Sequence, residues 1–74
     1  MAKPEDIRKV INLCIEDKMT EAFSYAYEHD VFMCEDWQTI SGSEYYVVAI
    51  EDDVLWFRQD AFGDFVLCSG SPEI

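Results

Sequence analysis

The spacing of apolar residues changes once along this chain, and that change limits the fold more than any other feature. Up to residue 29 apolar side chains recur every three or four positions, as on one face of a helix; they are Ile7, Val10, Ile11, Cys14, Ile15, Met19, Ala22, Phe23 and Ala26. From residue 37 onward they alternate or run together in short segments rich in β-branched and aromatic residues, as in strands. We therefore expect a helical part at about residues 4–29 and a β-meander at about residues 37–69.

The helical part begins with a clear start signal, whereas its middle allows two interpretations. Pro4 suits the first turn of a helix, and Glu5 and Asp6 favour the positive end of the helix dipole. The unbroken apolar period favours a single or kinked helix, but the polar stretch "EDK" at 16–18 and the capping residue Thr20 favour a break. Of the two we expect the break, with helices at about 4–17 and 20–29.

The second part contains three strand-like segments joined by short turns. The segments are "EYYVVAIE" at 44–51, "VLWFRQ" at 54–59 and "DFVLCS" at 64–69, and a weaker strand "WQTI" at 37–40 precedes them. Asp52 and Asp53 are expected in a tight hairpin turn, and "DAFGD" with Gly63 in a longer one. The sequence thus predicts one α+β domain over residues 1–74, with an N-terminal helix or helical hairpin packed on a three- to four-stranded antiparallel meander.

Both faces of the predicted sheet are apolar. Tyr46, Val48 and Ile50 fall on one side of their strand, and Tyr45, Val47 and Ala49 fall on the other. Helices in so short a chain can cover about one face, so either a segment such as "VFMCEDW" at 31–37 covers part of the second face or that face meets another protein. A homodimer is one form that such a contact could take.

The net charge of the chain indicates which class of partner it can bind. Sixteen Asp and Glu residues stand against five Lys and Arg, a formal net charge of −11, and after residue 33 Arg58 is the single base among nine acids. A field of this sign repels nucleic acid and anionic membranes and attracts basic proteins. We therefore expect a basic protein partner, with neither nucleic acid nor membrane bound directly.

Candidate catalytic and metal-binding groups are few. Cys14, Cys34 and Cys68 show neither a disulfide framework nor a CxxC spacing, and the single histidine, His29, lies at an expected helix end. The start of the chain lacks the apolar run of a signal peptide, and no segment approaches the roughly 18 apolar residues that span a membrane. We expect a cytoplasmic protein that is not an enzyme and has no cofactor or metal.

The acidic residues cluster where secondary-structure elements are expected to join, next to aromatic residues. Examples are "IEDDV" at 50–54, "CEDW" at 34–37 and "RQDAFGD" at 58–64. In size, charge and these junction acids the chain resembles the small inhibitors encoded by phages and other mobile elements, among them anti-CRISPR proteins and DNA mimics. The resemblance implies a protein of the host cytoplasm that occupies a basic nucleic-acid-binding groove, for example on a CRISPR effector subunit, and blocks DNA or RNA there.

Ten residues are the predicted contacts with such a partner. Acidic side chains would stand in for phosphates and aromatic side chains would act as anchors; the ten are Glu35, Asp36, Trp37, Tyr45, Glu51, Asp52, Asp53, Trp56, Asp60 and Asp64. The alternative hypothesis is a non-enzymatic interaction or immunity module that binds its partner through the aromatic sheet face and not through charge.

Overall fold

The structure, a computed structural model, describes residues 2–68 as two helices followed by a four-stranded sheet. The elements are α1 (Pro4–Ile15), α2 (Met19–Glu28), β1 (Met33–Ile40), β2 (Ser43–Ile50), β3 (Asp53–Gln59) and β4 (Phe65–Leu67). The strands pair in the order β1-β2-β3-β4, and every neighbouring pair is antiparallel. The predicted α+β meander is therefore confirmed, with two helices and four strands; Ser69, the last residue of the predicted final strand, lies outside the described residues.

Both helices end in the same way, and this explains the break between them. Asp17 and Asp30 adopt positive φ angles of 63° and 57° just beyond the two helix ends. In each case the next residue donates its N–H to a carbonyl five positions back, from Lys18 to Leu13 and from Val31 to Ala26. These are Schellman-type ends in which Asp takes the left-handed position more often held by glycine. The "EDK" stretch thus stops α1 by backbone geometry as well as by polarity.

Strand β1 is longer than the sequence predicted. It begins at Met33 and pairs with β2 along its whole length, from Met33 opposite Ile50 to Ile40 opposite Ser43. Most of the "VFMCEDW" segment is therefore part of the sheet itself, so it cannot cover the second sheet face. The expected boundary at residue 37 was late because Glu35 and Asp36 interrupt the apolar alternation.

Two-residue turns connect the first three strands. Ser41 and Gly42 both have positive φ angles, 53° and 81°, as a tight hairpin turn requires. The second turn consists of Glu51 and Asp52, since Asp53 already pairs with Ile50. The turn therefore lies one residue earlier than the predicted Asp52–Asp53.

The core lies between the helices and one face of the sheet. Val48 and Ile50 of β2 are completely buried, as are Val10 of α1 and Ala22 of α2. The remaining members of the core are Leu13, Cys14, Ala26, Val31 and Phe57. The predicted division of β2 is confirmed, because the face that carries Val48 and Ile50 is the one that the helices cover.

The opposite face of the sheet has no covering element in residues 2–68, and we call it the open face. By strand alternation it carries Cys34, Asp36, Gln38, Ile40, Ser43, Tyr45, Val47, Ala49, Val54, Trp56, Arg58 and Val66. Val47 and Ala49 are only half-buried although they lie in a central strand, whereas Val48 between them is 0% exposed. One face of the sheet therefore packs in the core, and the other remains available to solvent or to another protein.

Candidate partner-binding surfaces

Seven carboxylates from three parts of the chain lie at one end of the molecule, which we call the acidic end. They are Glu5, Asp6, Glu28, Asp30, Glu51, Asp52 and Asp53. The helical hairpin brings the start of α1 beside the end of α2, and the α2–β1 connection lies beside the β2–β3 turn. Of the sixteen Asp and Glu residues only Glu73 lies outside the described range, so this end holds nearly half of the others.

Contacts around Asp6 join the two helices within the acidic end. The Tyr25 hydroxyl donates a hydrogen bond to Asp6 Oδ1 at 2.9 Å, and His29 Nδ1 lies 3.7 Å from the same oxygen. The Tyr25 and His29 rings stack with their centroids 4.0 Å apart. The hydrogen bond to Asp6, with partial burial and the negative charges of Asp6 and Glu5, raises the pKa of Tyr25, so its hydroxyl stays protonated and remains the donor at neutral pH.

The three acids at the β2–β3 turn and the start of β3 differ in role. Glu51 has a positive φ of 53°, and its Oε2 accepts a hydrogen bond from the Phe32 backbone N–H at 2.9 Å. The backbone N–H of Glu51 in turn donates to the Phe32 carbonyl at 3.0 Å. Asp52 and Asp53 are exposed, and Asp53 lines a shallow depression together with Arg8 of α1. Glu51 therefore positions the turn, and Asp52 and Asp53 present charge to solvent.

Asp60 and Asp64 lie at the opposite end of the sheet from this turn. Strand β3 separates the two turns, and its seven residues span roughly 20 Å at about 3.3 Å per residue. Asp60 Oδ1 accepts hydrogen bonds from the backbone N–H groups of Phe62 at 2.8 Å and Asp64 at 3.1 Å. Asp60 therefore builds the β3–β4 turn, while Asp64 is exposed beside it.

Glu35 and Asp36 lie on β1, at the edge of the sheet, and point to opposite faces. Glu35 accepts a hydrogen bond from the Tyr46 hydroxyl on the helix-covered side. The Asp36 carboxylate accepts one hydrogen bond from the backbone N–H of Trp37 at 2.8 Å and another from Gln38 Nε2 at 2.9 Å. Because an unpaired edge N–H invites another strand, the bond from Trp37 to Asp36 protects this edge against strand addition.

The three predicted aromatic anchors are also divided between the two faces. Trp37 lies on the helix-covered side, with its ring centroid 5.3 Å from that of Tyr46 and 5.6 Å from that of Phe65. Tyr45 and Trp56 lie on the open face, and their rings meet edge to face at 6.1 Å. The ten predicted contact residues therefore occupy four separate places, and one flat partner surface could not touch all of them.

Sequence reasoning did not assign Glu5, Asp6, Glu28 and Asp30 to the same surface as the "EDD" turn. The predicted helical hairpin already implies that the acids of the two helices lie together, because two antiparallel helices of similar length bring the start of the first beside the end of the second. The placement of that end beside the β2–β3 turn was not predictable, since it depends on the Phe32–Glu51 contact between distant residues.

In the described part of the chain, the cysteines and acids form no group that could hold a metal ion. Cys14 is buried, and burial raises the pKa of its thiol to about 11, so it is a core residue and a poor nucleophile. Cys34 is exposed and Cys68 is half-buried, and all three are free thiols. Across residues 2–68 no group of three His, Cys, Asp or Glu side chains is arranged to hold a metal ion.

Comparisons with known proteins assign neither a family nor a function to this chain. No protein-family model, no curated protein and no solved structure matches this chain. Neither α1 nor α2, the helices of the described range, has the length and apolar content needed to cross a membrane.

Proposed function

We propose that this protein is a non-enzymatic inhibitor that binds a basic nucleic-acid-binding groove of another protein through its acidic end and so blocks DNA or RNA there. The observation that carries the proposal is the gathering of seven carboxylates at one end of the molecule, where α1 begins, α2 ends and β2 turns into β3. A groove that binds nucleic acid offers Lys and Arg side chains to phosphates, and surface carboxylates can pair with the same side chains.

The acidic end is held in place before any partner binds. Asp6 is tied to Tyr25, and Glu51 is tied to the backbone of Phe32, so both helices and the turn are linked to one another. Ordering flexible side chains and loops on binding costs about 0.5–1.5 kcal/mol for each group immobilised, and this loss is smaller when the loops already have the bound conformation. The exposed carboxylates of Asp52 and Asp53 thus lie at a turn that these contacts already hold in place.

The net charge of −11 determines how such a complex would form. Opposite fields speed association and make it sensitive to salt, because ions screen exposed charges beyond the Debye length. Basic nucleic-acid-binding proteins are therefore favoured over neutral partners. Within that class, a CRISPR effector subunit is the partner that the resemblance to phage-encoded inhibitors favours.

Displacement of labelled DNA tests the proposal. A fluorescent duplex bound to a purified CRISPR effector, or to another basic DNA-binding protein, should be released as this protein is added, and its anisotropy should fall. Direct binding of this protein to the same partner, measured without DNA because salt also releases the duplex, should weaken markedly between about 0.1 M and about 1 M NaCl, over which the Debye length shrinks from about 10 Å to about 3 Å. Capture of a partner that leaves its DNA bound would contradict inhibition by occupation of the groove.

A further inference from the structure

The open face provides a second surface whose charge is unlike that of the rest of the protein. Within the four strands this face carries one acid, Asp36, and one base, Arg58, so its formal charge is zero on a protein whose net charge is −11. Its centre is apolar and aromatic, with Val47 of β2 paired to Trp56 of β3 and Tyr45 beside them. A face with no formal net charge and an apolar centre favours an apolar, nearly neutral partner surface over a basic one.

We infer that the open face binds a second copy of the same chain, so that the protein forms a symmetric dimer through the two sheets. This inference rests on the open face and does not depend on the proposed function. Because like net charges repel, two copies of a strongly acidic protein meet with the least repulsion through a surface that carries little net charge. The open face meets that condition, because acids elsewhere cluster at the helix ends and the turns.

The two charges of the open face also complement each other across a two-fold axis. Asp36 lies on β1 and Arg58 lies on β3, with β2 between them. Within residues 2–68 the two side chains form no ion pair with each other, because two strand spacings of about 4.8 Å separate their strands. An axis over the middle of β2 exchanges the β1 side of one copy with the β3 side of the other. Asp36 is level with Val47 and Trp56 in the sheet, and Arg58 lies two residues, about 7 Å, further along β3. An axis inclined to β2 therefore brings each Asp36 to the Arg58 of the other copy, and the Val47 and Trp56 regions meet near the centre.

The size of the face sets the expected strength of the dimer. Four strands about 4.8 Å apart and up to eight residues long give a planar face of roughly 400–500 Å². This is slightly below the roughly 600 Å² per partner at the lower limit of standard specific interfaces. We therefore expect a reversible dimer that forms at micromolar concentrations and dissociates on dilution.

Sedimentation of the whole chain gives the first test. The apparent mass should rise from the 8.6 kDa monomer towards twice that value as the concentration increases from about 5 µM to about 500 µM, the range expected for a small interface. A protein that remains monomeric throughout this range would overturn the inference.

Reversal of the two charges tests the symmetry itself. Asp36→Arg and Arg58→Asp should each weaken the dimer at least tenfold, because like charges then face each other at both flanks. An equimolar mixture of the two variants should associate as well as the native protein, since both flanks of the mixed dimer again pair opposite charges. Circular dichroism of each variant checks that it is folded. A mixture that associates no better than either variant alone would refute the two-fold arrangement.

Removal of an aromatic side chain tests the centre of the interface. Trp56→Ser should weaken the dimer at least tenfold, as truncation of a central aromatic residue commonly does. Phe62→Ser is the matched control, because Phe62 is 90% exposed on the β3–β4 turn and lies off the open face. Equal association of both variants with the native protein would show that the open face is not the interface.

Discussion

Two valines on adjacent strands test whether the sheet has one core face and one open face. Val48 of β2 is 0% exposed beneath the helices, and Val54 of β3 is 51% exposed on the open face. The same replacement by alanine removes the same two methyl groups from a strand residue at each position. A difference in stability between the two variants therefore measures burial.

The expected magnitudes follow from this burial. Val48→Ala loses about 0.8 kcal/mol for each buried methyl group and leaves a cavity, so the free energy of unfolding should fall by about 2–3 kcal/mol. Val54→Ala should lower it by less than about 1 kcal/mol, because half of that side chain is already in water. For a domain of this size, the Val48 variant should melt about 10–20 °C lower than the native protein.

Urea unfolding followed by circular dichroism is the appropriate assay, at about 5 µM protein so that dimerisation does not contribute. The native protein and both variants should unfold with the same denaturant slope and different midpoints. Equal losses for the two variants, or a larger loss for Val54→Ala, would refute the assignment of the faces.

Three further outcomes follow from individual contacts. Stability should fall as pH rises from about 9 through 11, because the folded-state pKa of Cys14 lies above that of the free thiol; the loss reaches at most about 2.7 kcal/mol, and Cys14→Ala should remove it from the pH profile of unfolding. Asp60→Ala should destabilise by about 1 kcal/mol in thermal melts, since it removes the acceptor of two turn N–H groups, whereas Asp64→Ala should have little effect. Asp17→Gly should stabilise by about 0.5–1 kcal/mol in urea unfolding, because glycine adopts the positive φ without strain and removes an acid from a helix C-terminus; destabilisation would contradict the Schellman geometry.

Much of the fold could be predicted because local patterns agree with it. Helical spacing around Val10 and strand alternation around Val48 each point to the face that the structure buries. The start of β1 was missed because Glu35 and Asp36 break the alternation, and pairing with the apolar β2 overrides that local signal. The turn at Glu51 was placed one residue late because glutamate is an unusual residue at positive φ.

The candidate surfaces were less predictable, because they depend on contacts between residues far apart in sequence. The acids at 51–53 stand out in the sequence, but only the Tyr25–Asp6 and Phe32–Glu51 hydrogen bonds show which other acids share their end. Conversely, Asp60 looked like a phosphate stand-in, and the structure gives its carboxylate a local role in a turn. The sequence also indicated that a second apolar face existed, but its near-neutral charge became visible only through strand register.

The most direct test of the central claim compares removal of charge at the two ends of the sheet. The double variant Asp52→Asn/Asp53→Asn removes two exposed carboxylates from the acidic end, and Glu44→Gln/Asp64→Asn removes two exposed carboxylates elsewhere at equal net charge. Affinity for the DNA-binding protein whose duplex is displaced, measured by anisotropy competition, should fall about tenfold or more for the first pair and less than about threefold for the second. Equal losses would mean that bulk charge alone drives binding, and unchanged affinity for both would contradict the claim that the acidic end occupies the groove.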